Sequence, residues 1–144
     1  MPTGDDRNAK TCEQLVEAEC ASTIEVLRDL WELYCEDSEA YHDDHGTNLY
    51  EYGLGFDYVP LDTFPDQDEG YFRYQISWGG PSDEFRFFTG PDFVPYRIEY
   101  WYMDWFDGAR RTLRGDDLAL MKGIFHWFDD MGCTRGEFDK SQEY

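Results

Sequence analysis

Lysine is nearly missing from this chain: three occur in 144 residues, and Lys and Arg together number 12 against 32 Asp and Glu. A formal charge of −20 at pH 7 would repel a phosphate backbone, so direct nucleic-acid binding is not expected. No run of about 18 apolar residues occurs, and neither a membrane-spanning helix nor a membrane partner is expected. The opening MPTGDDRNAK carries neither a basic start nor an apolar stretch, which points to a cytoplasmic protein of a bacterial host without a signal peptide. CxxC pairs are missing too. Cys12, Cys20 and Cys35 fall at apolar positions of one predicted helix and are read, with Cys133, as small core residues rather than a disulfide or metal framework. Nor is there a GxSxG, a GxxxxGK, a GxGxxG after a strand or an HExxH. Ser77 and Ser82 have no catalytic partner at a telling spacing, so the expectation is a non-enzymatic protein without a cofactor.

What is present is an aromatic core. Hydrophobic residues make up 41% and aromatics 19%, enough to fold against the charge, and the length suits one domain over residues 1–144 with 1–10 and 133–144 as loose tails. Acidity of this degree has a halophilic explanation, but such chains are rich in small apolar residues, and here six Ala and four Val stand beside 11 Phe, 11 Tyr and 5 Trp. The explanation developed instead is a basic partner.

Thr11 followed by Gln14 has the spacing of a capping box. Apolar residues at steps of three and four from Cys12 to Tyr34 then predict a long helix over 11–39, with Gly46 as its terminator. Residues 53–59 read as a strand stopped by Pro60. In YFRYQISW (71–78) apolar and polar residues alternate, Gly79-Gly80-Pro81-Ser82-Asp83 supplies a turn, and EFRFFT (84–89) returns. YRIEYWYMDWF (96–106), aromatic on both faces, suits a central strand, and Asp107-Gly108 predicts a two-residue turn into a short strand over 109–113. A last helix starts near Asp116 or Asp117, with Gly132 past its end. Strands grouped between helices, without βαβ alternation, predict an α+β fold: an antiparallel sheet of about four to five strands with a long N-terminal helix and a C-terminal helix.

Glu25, Asp29, Glu32, Glu36, Glu39 and Asp43 recur at steps of four and three, and so stack along one side of the first helix. Such a row costs about 0.2–0.5 kcal/mol per like-charged neighbour pair. At 1.5 Å per residue it offers one charge per roughly 5 Å, against one per ~1.7 Å of duplex DNA. Imitation of a nucleic acid therefore needs further rows, for which Asp66, Asp68 and Glu69 of the central loop, Asp83 and Glu84 of the hairpin, and Asp129 and Asp130 of the last helix are candidates. His42 and His45 are the clustered imidazoles of the chain. With Asp43, Asp44 and a cysteine, Cys35 or Cys20, they could hold zinc, but without a second motif the segment is read as a polar helix end and no metal is assigned. His126 is read as an ordinary helix residue, and Arg110, Arg111 and Arg114 as partners of nearby carboxylates. Tyr96, Tyr100, Trp101, Tyr102 and Trp105 could stack on bases, which the overall charge disfavours.

The stretch YFRYQISWGGPSDEFRFF followed by YRIEYWYMDWFDGARR resembles small proteins carried by plasmids and phages, and the overall charge resembles that of anti-restriction and anti-CRISPR proteins. The resemblance implies a mobile element countering host defence, and it carries over no functional residue. Together with the charge it leads to the expectation of an acidic inhibitor that occupies a positively charged nucleic-acid groove on a CRISPR effector or restriction nuclease. An acidic immunity protein blocking a toxin's basic active site, or a small metal-dependent enzyme, are the alternatives.

Overall fold

The computed structural model describes residues 10–79, 81–105 and 107–142. Most of the predicted N-terminal tail, Gly80 of the predicted turn, Phe106 of the predicted central strand and the last two residues of the chain lie outside them.

Thr11 opens helix α1 (Cys12–Glu36) with the capping box that its spacing predicts: its hydroxyl accepts the Gln14 amide at 3.2 Å, and the Gln14 side chain accepts the Thr11 amide at 2.9 Å. The helix stops at Glu36 rather than at residue 39. Asp37 turns extended, and its amide closes the last turn on the Leu33 carbonyl at 2.7 Å. No basic residue occupies that turn, and Glu32, Glu36 and Asp37 crowd the negative pole of the helix, which opposes further winding. Gly46 does not terminate α1. It lies nine residues beyond Asp37, at φ 64° in a tight loop where His42 bridges Thr47 and the Gly46 amide donates to the His42 carbonyl at 2.8 Å.

A short helix not foreseen from the sequence, α2 (Leu49–Tyr52), follows, capped by the Asn48 side chain. Gly53, predicted as strand, turns the chain beside the Tyr74 ring, where an added Cβ would stand 2.2 Å from a ring carbon. Five strands form one antiparallel meander in chain order: β1 (Gly55–Val59), β2 (Tyr71–Ser77), β3 (Ser82–Thr89), β4 (Pro95–Asp104) and β5 (Asp107–Thr112). Asp104 pairs with Asp107 and Met103 with Gly108, so the last hairpin reverses ahead of Asp107, with Trp105 at φ 56°, and not at Asp107-Gly108. Asp107 is used elsewhere: its carboxylate accepts the Cys12 amide at 2.7 Å at the positive pole of α1, which holds its pKa below the usual carboxylate value.

Helix α3 (Gly115–Asp130) carries Met121, Ile124, Phe125 and Phe128 into the core. Gly132, at φ 81°, separates it from α4 (Cys133–Ser141), which stands where the sequence suggests a loose tail. That segment is ordered by Phe138, whose ring packs on Tyr58 and Phe93 at 5.0 and 5.3 Å.

Strand alternation divides the sheet. Phe72, Tyr74, Phe85, Phe87, Ile98 and Tyr100 join the helices in the main core, while Val59, Tyr71 and Phe88 make a small cluster on the other face. The fold is α+β, with an antiparallel five-stranded sheet, a long N-terminal helix and a helical C-terminal part. Its four cysteines are unpaired: Cys12 and Cys20 are core residues as expected, Cys133 is half-buried, and Cys35, against expectation, is exposed. Burial lifts the Cys20 thiol to about 11.

Candidate partner-binding surface

From Asp29 to Phe72 the chain contains thirteen carboxylates and no lysine or arginine. Arginines from β2 and β4 reach two of these: Arg73 binds Asp57 at 2.7 Å and Arg97 binds Glu69 at 2.6 Å. Arg28, which sits beside the helix row, turns away to Asp117 at 3.1 Å. Glu25, Glu32 and Glu36 are exposed on α1, and no ion pair among the described residues involves them. Asp29 differs: it is half-buried and takes His45 Nε2 at 2.9 Å. Glu39 and Asp43 lie past the end of α1, so the continuous helical row expected over 25–43 is a helical row to Glu36 and a loop beyond it.

The row gains company from another helix. Arg28 bonds Asp117, Trp31 lies over Gly123, and the Tyr34 ring meets Trp127 at 5.6 Å. These contacts advance together along α1 and α3, so both C-termini arrive at the same end of the molecule. Asp129 and Asp130 thereby join Glu32, Glu36, Asp37, Glu39, Asp43 and Asp44, all exposed. Neither helix has a basic residue in its last turn, so two negative poles add to these side chains. His126 makes a long contact of 3.5 Å with Asp130. Tyr50, 53% exposed, packs its edge on Tyr34 and Trp127 at this end, and Tyr41, 56% exposed, donates its hydroxyl to Glu51.

The other expected rows do not form. Asp83 and Glu84 are 6% and 3% exposed, because β3 begins at Ser82 and carries both into the sheet. Asp83 accepts hydroxyls of Tyr100, Thr23 and Ser77, and Glu84 accepts Arg86 at 2.8 Å. Ser77 and Ser82, the loosest catalytic candidates, are accordingly strand residues, Ser82 buried. Asp66 and Asp68 are exposed, but their loop lies over the sheet face opposite α1, tied there by Glu69. Glu69 accepts the Tyr96 hydroxyl and Arg97, which lower its pKa below the ordinary value.

That opposite face collects cations and rings. Arg86 stacks between Trp101 at 3.7 Å and Tyr71 at 4.6 Å, Arg97 covers Phe88 at 4.0 Å, and Arg110 faces Trp101 at 5.5 Å. Of the basic trio near the last hairpin, Arg111 alone pairs as expected, with Glu13 at 2.7 Å and Glu17 at 3.3 Å. Arg110 and Arg114 have no ion pair among the described residues. Of the aromatic candidates, Tyr100 and Tyr102 are core, Trp101 lies under arginine, and Tyr96 and Trp105 are exposed. A cleft of about 520 Å³ opens between Trp78 and Trp105, floored by Arg73, Arg86 and Met103. Its arginines are already paired with Asp57 and Glu84, so it offers no uncompensated positive charge.

The convergence of two helix ends was the feature that spacing along one helix could not supply; the pointer to it in the sequence is the 44-residue tract without Lys or Arg. No family profile, no curated protein and no solved structure matches the chain.

Proposed function

We propose that the protein is a non-enzymatic acidic binder whose anionic end, built from the C-termini of α1 and α3 and the loop between α1 and α2, occupies a positively charged groove on a nucleic-acid-handling protein of host defence, a CRISPR effector or a restriction nuclease. One observation carries the reading: eight exposed carboxylates gathered at two negative helix poles whose last turns hold no basic residue, with no described lysine or arginine paired to them. Like charges and helix poles oppose this arrangement in the free protein. A cationic partner removes the repulsion on binding and is steered to the surface by the same field. Carboxylates take the places of phosphates in such a groove, and Tyr41 and Tyr50 supply flat, exposed rings as anchors within the charged rim. The mimicry is of charge at one end of the molecule, without the parallel rows of a duplex.

Affinity capture from a bacterial lysate at low salt tests the reading. The expected capture is a CRISPR or restriction subunit, released as salt rises, and lost with a Glu32→Lys/Glu36→Lys variant that stays folded. Recovery of a single toxin would transfer the reading to an immunity protein, and undiminished capture by the charge-reversed variant would remove this end as the contact surface.

A further inference from the structure

We propose that Asp29, His42 and His45 form a binding site for a divalent transition-metal ion, zinc foremost. The inference stands on its own residues and does not depend on the identity of any protein partner.

His45 Nε2 stands 2.9 Å from Asp29 Oδ2, and one ligand atom from each of Asp29, His42 and His45 lies within 4.8 Å of the others. Two ligands held at about 2.1 Å from one ion, at the angles of tetrahedral or octahedral geometry, are roughly 3.0–3.4 Å apart. Asp29 and His45 are therefore already close to a ligand spacing, and His42 needs a side-chain adjustment on the order of 1–2 Å to complete it.

The backbone holds the donors ready. His42 bridges Thr47, its amide donating to the Thr47 carbonyl at 2.8 Å, and Gly46 takes φ 64° so that residues 43–46 reverse tightly. The two imidazoles stack with centroids 4.7 Å apart, and all three side chains are half-buried. Either nitrogen of His42 takes an ion only by giving up the 3.2 Å hydrogen bond that Nδ1 accepts from the Asp44 amide, which is a long and replaceable contact.

Two neutral imidazoles and one carboxylate suit ions of intermediate softness, with water at the open positions, and select against magnesium and calcium, which prefer oxygen throughout. The thiols of Cys20 and Cys35 are not among the grouped donors. Exposed Asp43 and Asp44 adjoin the two histidines in the loop and exposed Glu32 stands one turn from Asp29 on α1, and these carboxylates raise the local concentration of cations. A bound ion would clamp the loop to α1.

The test is calorimetric titration of the metal-stripped full chain with zinc chloride near neutral pH in excess magnesium. One equivalent should bind saturably, Cys35→Ser should bind alike, and His42→Ala and His45→Ala should each weaken binding by at least about 100-fold, since even outer partners of a ligand are worth 10–100-fold. Because a variant could lose its loop structure, histidine NMR of the unaltered protein gives a second reading: zinc should shift the ring signals of His42 and His45 and leave exposed His126 unmoved. Absence of saturable binding, binding indifferent to the histidine variants, dependence on Cys35, or equal shifts at all three histidines would each overturn the assignment.

Discussion

The carboxylate of Asp83 has no ion pair among the described residues, yet it is 6% exposed. It is held by hydroxyls: Tyr100 donates at 2.6 Å, Thr23 at 3.3 Å from α1, and Ser77 from the adjoining strand. Burial, followed by the bond to Asp83, drives the Tyr100 phenol far above its ordinary pKa, so it stays a donor at all working pH values. A hydrogen bond to a charged acceptor in the interior contributes more than one between neutral groups, and removing the donor leaves the acceptor short of solvation. Tyr100→Phe should therefore cost about 1.5–3 kcal/mol of stability. Urea unfolding measures it, and a loss under about 0.5 kcal/mol would mean that water or another hydroxyl replaces the phenol. The same three hydroxyls explain why Asp83 serves the interior rather than a partner.

At the level of elements, α1 is stabilised at its start and opposed at its end. Its N-terminus has the Thr11–Gln14 box and the Asp107 carboxylate on the Cys12 amide. Its last turn has Glu32 and Glu36 against a negative pole and no basic residue. Glu32→Lys and Glu36→Lys should then each stabilise the protein by about 0.3–1 kcal/mol while weakening partner binding, the pattern of a surface kept for use at some expense to folding. Thermal unfolding of the two variants decides the stability half; a lower melting temperature would show that the side chains have a folded-state role. Alternation and helical period made α1, the sheet and α3 legible in the sequence. Two short helices escaped, for physical reasons: Leu49–Tyr52 is one turn and shows no period, and Cys133–Ser141 is polar apart from Cys133 and Phe138, and the burial of Phe138 depends on Tyr58 and Phe93 far back in the chain. The displaced hairpin turn has a similar origin, since the Asp107 carboxylate binds the start of α1 while Trp105 takes the left-handed conformation that a Gly or Asn more often adopts. Among site residues, Glu25, Glu32 and Glu36 were readable from spacing, whereas Asp129 and Asp130 reach them only through the packing of Trp31 and Tyr34 on α3.

Over the whole molecule, five arginines of the described residues make their ion pairs away from the acidic end. Arg73, Arg86 and Arg97 pair on the outer sheet face, Arg111 pairs at the start of α1, and Arg28 pairs at its middle. Eight exposed carboxylates are thus left without a described lysine or arginine partner where α1 and α3 finish, while others, Asp66 and Asp68 among them, stand exposed elsewhere. Exposed charges of one sign repel over a screening length of about 10 Å at 0.1 M salt and about 3 Å at 1 M, so added salt should relieve the folded state. The pairs on the sheet face are partly sheltered, with Glu84 and Glu99 nearly buried, and respond less to screening. The melting temperature should accordingly rise as sodium chloride goes from roughly 0.02 to 0.5 M, while affinity for a cationic partner falls over the same range. Opposite slopes follow from one cause, the gathered carboxylates, since the repulsion that salt screens within the free protein is the attraction that it screens in the complex. A melting temperature that declines with salt would show that the arginine pairs outweigh the repulsion, and with it the acidic end would lose its claim to be an unmet demand for positive charge.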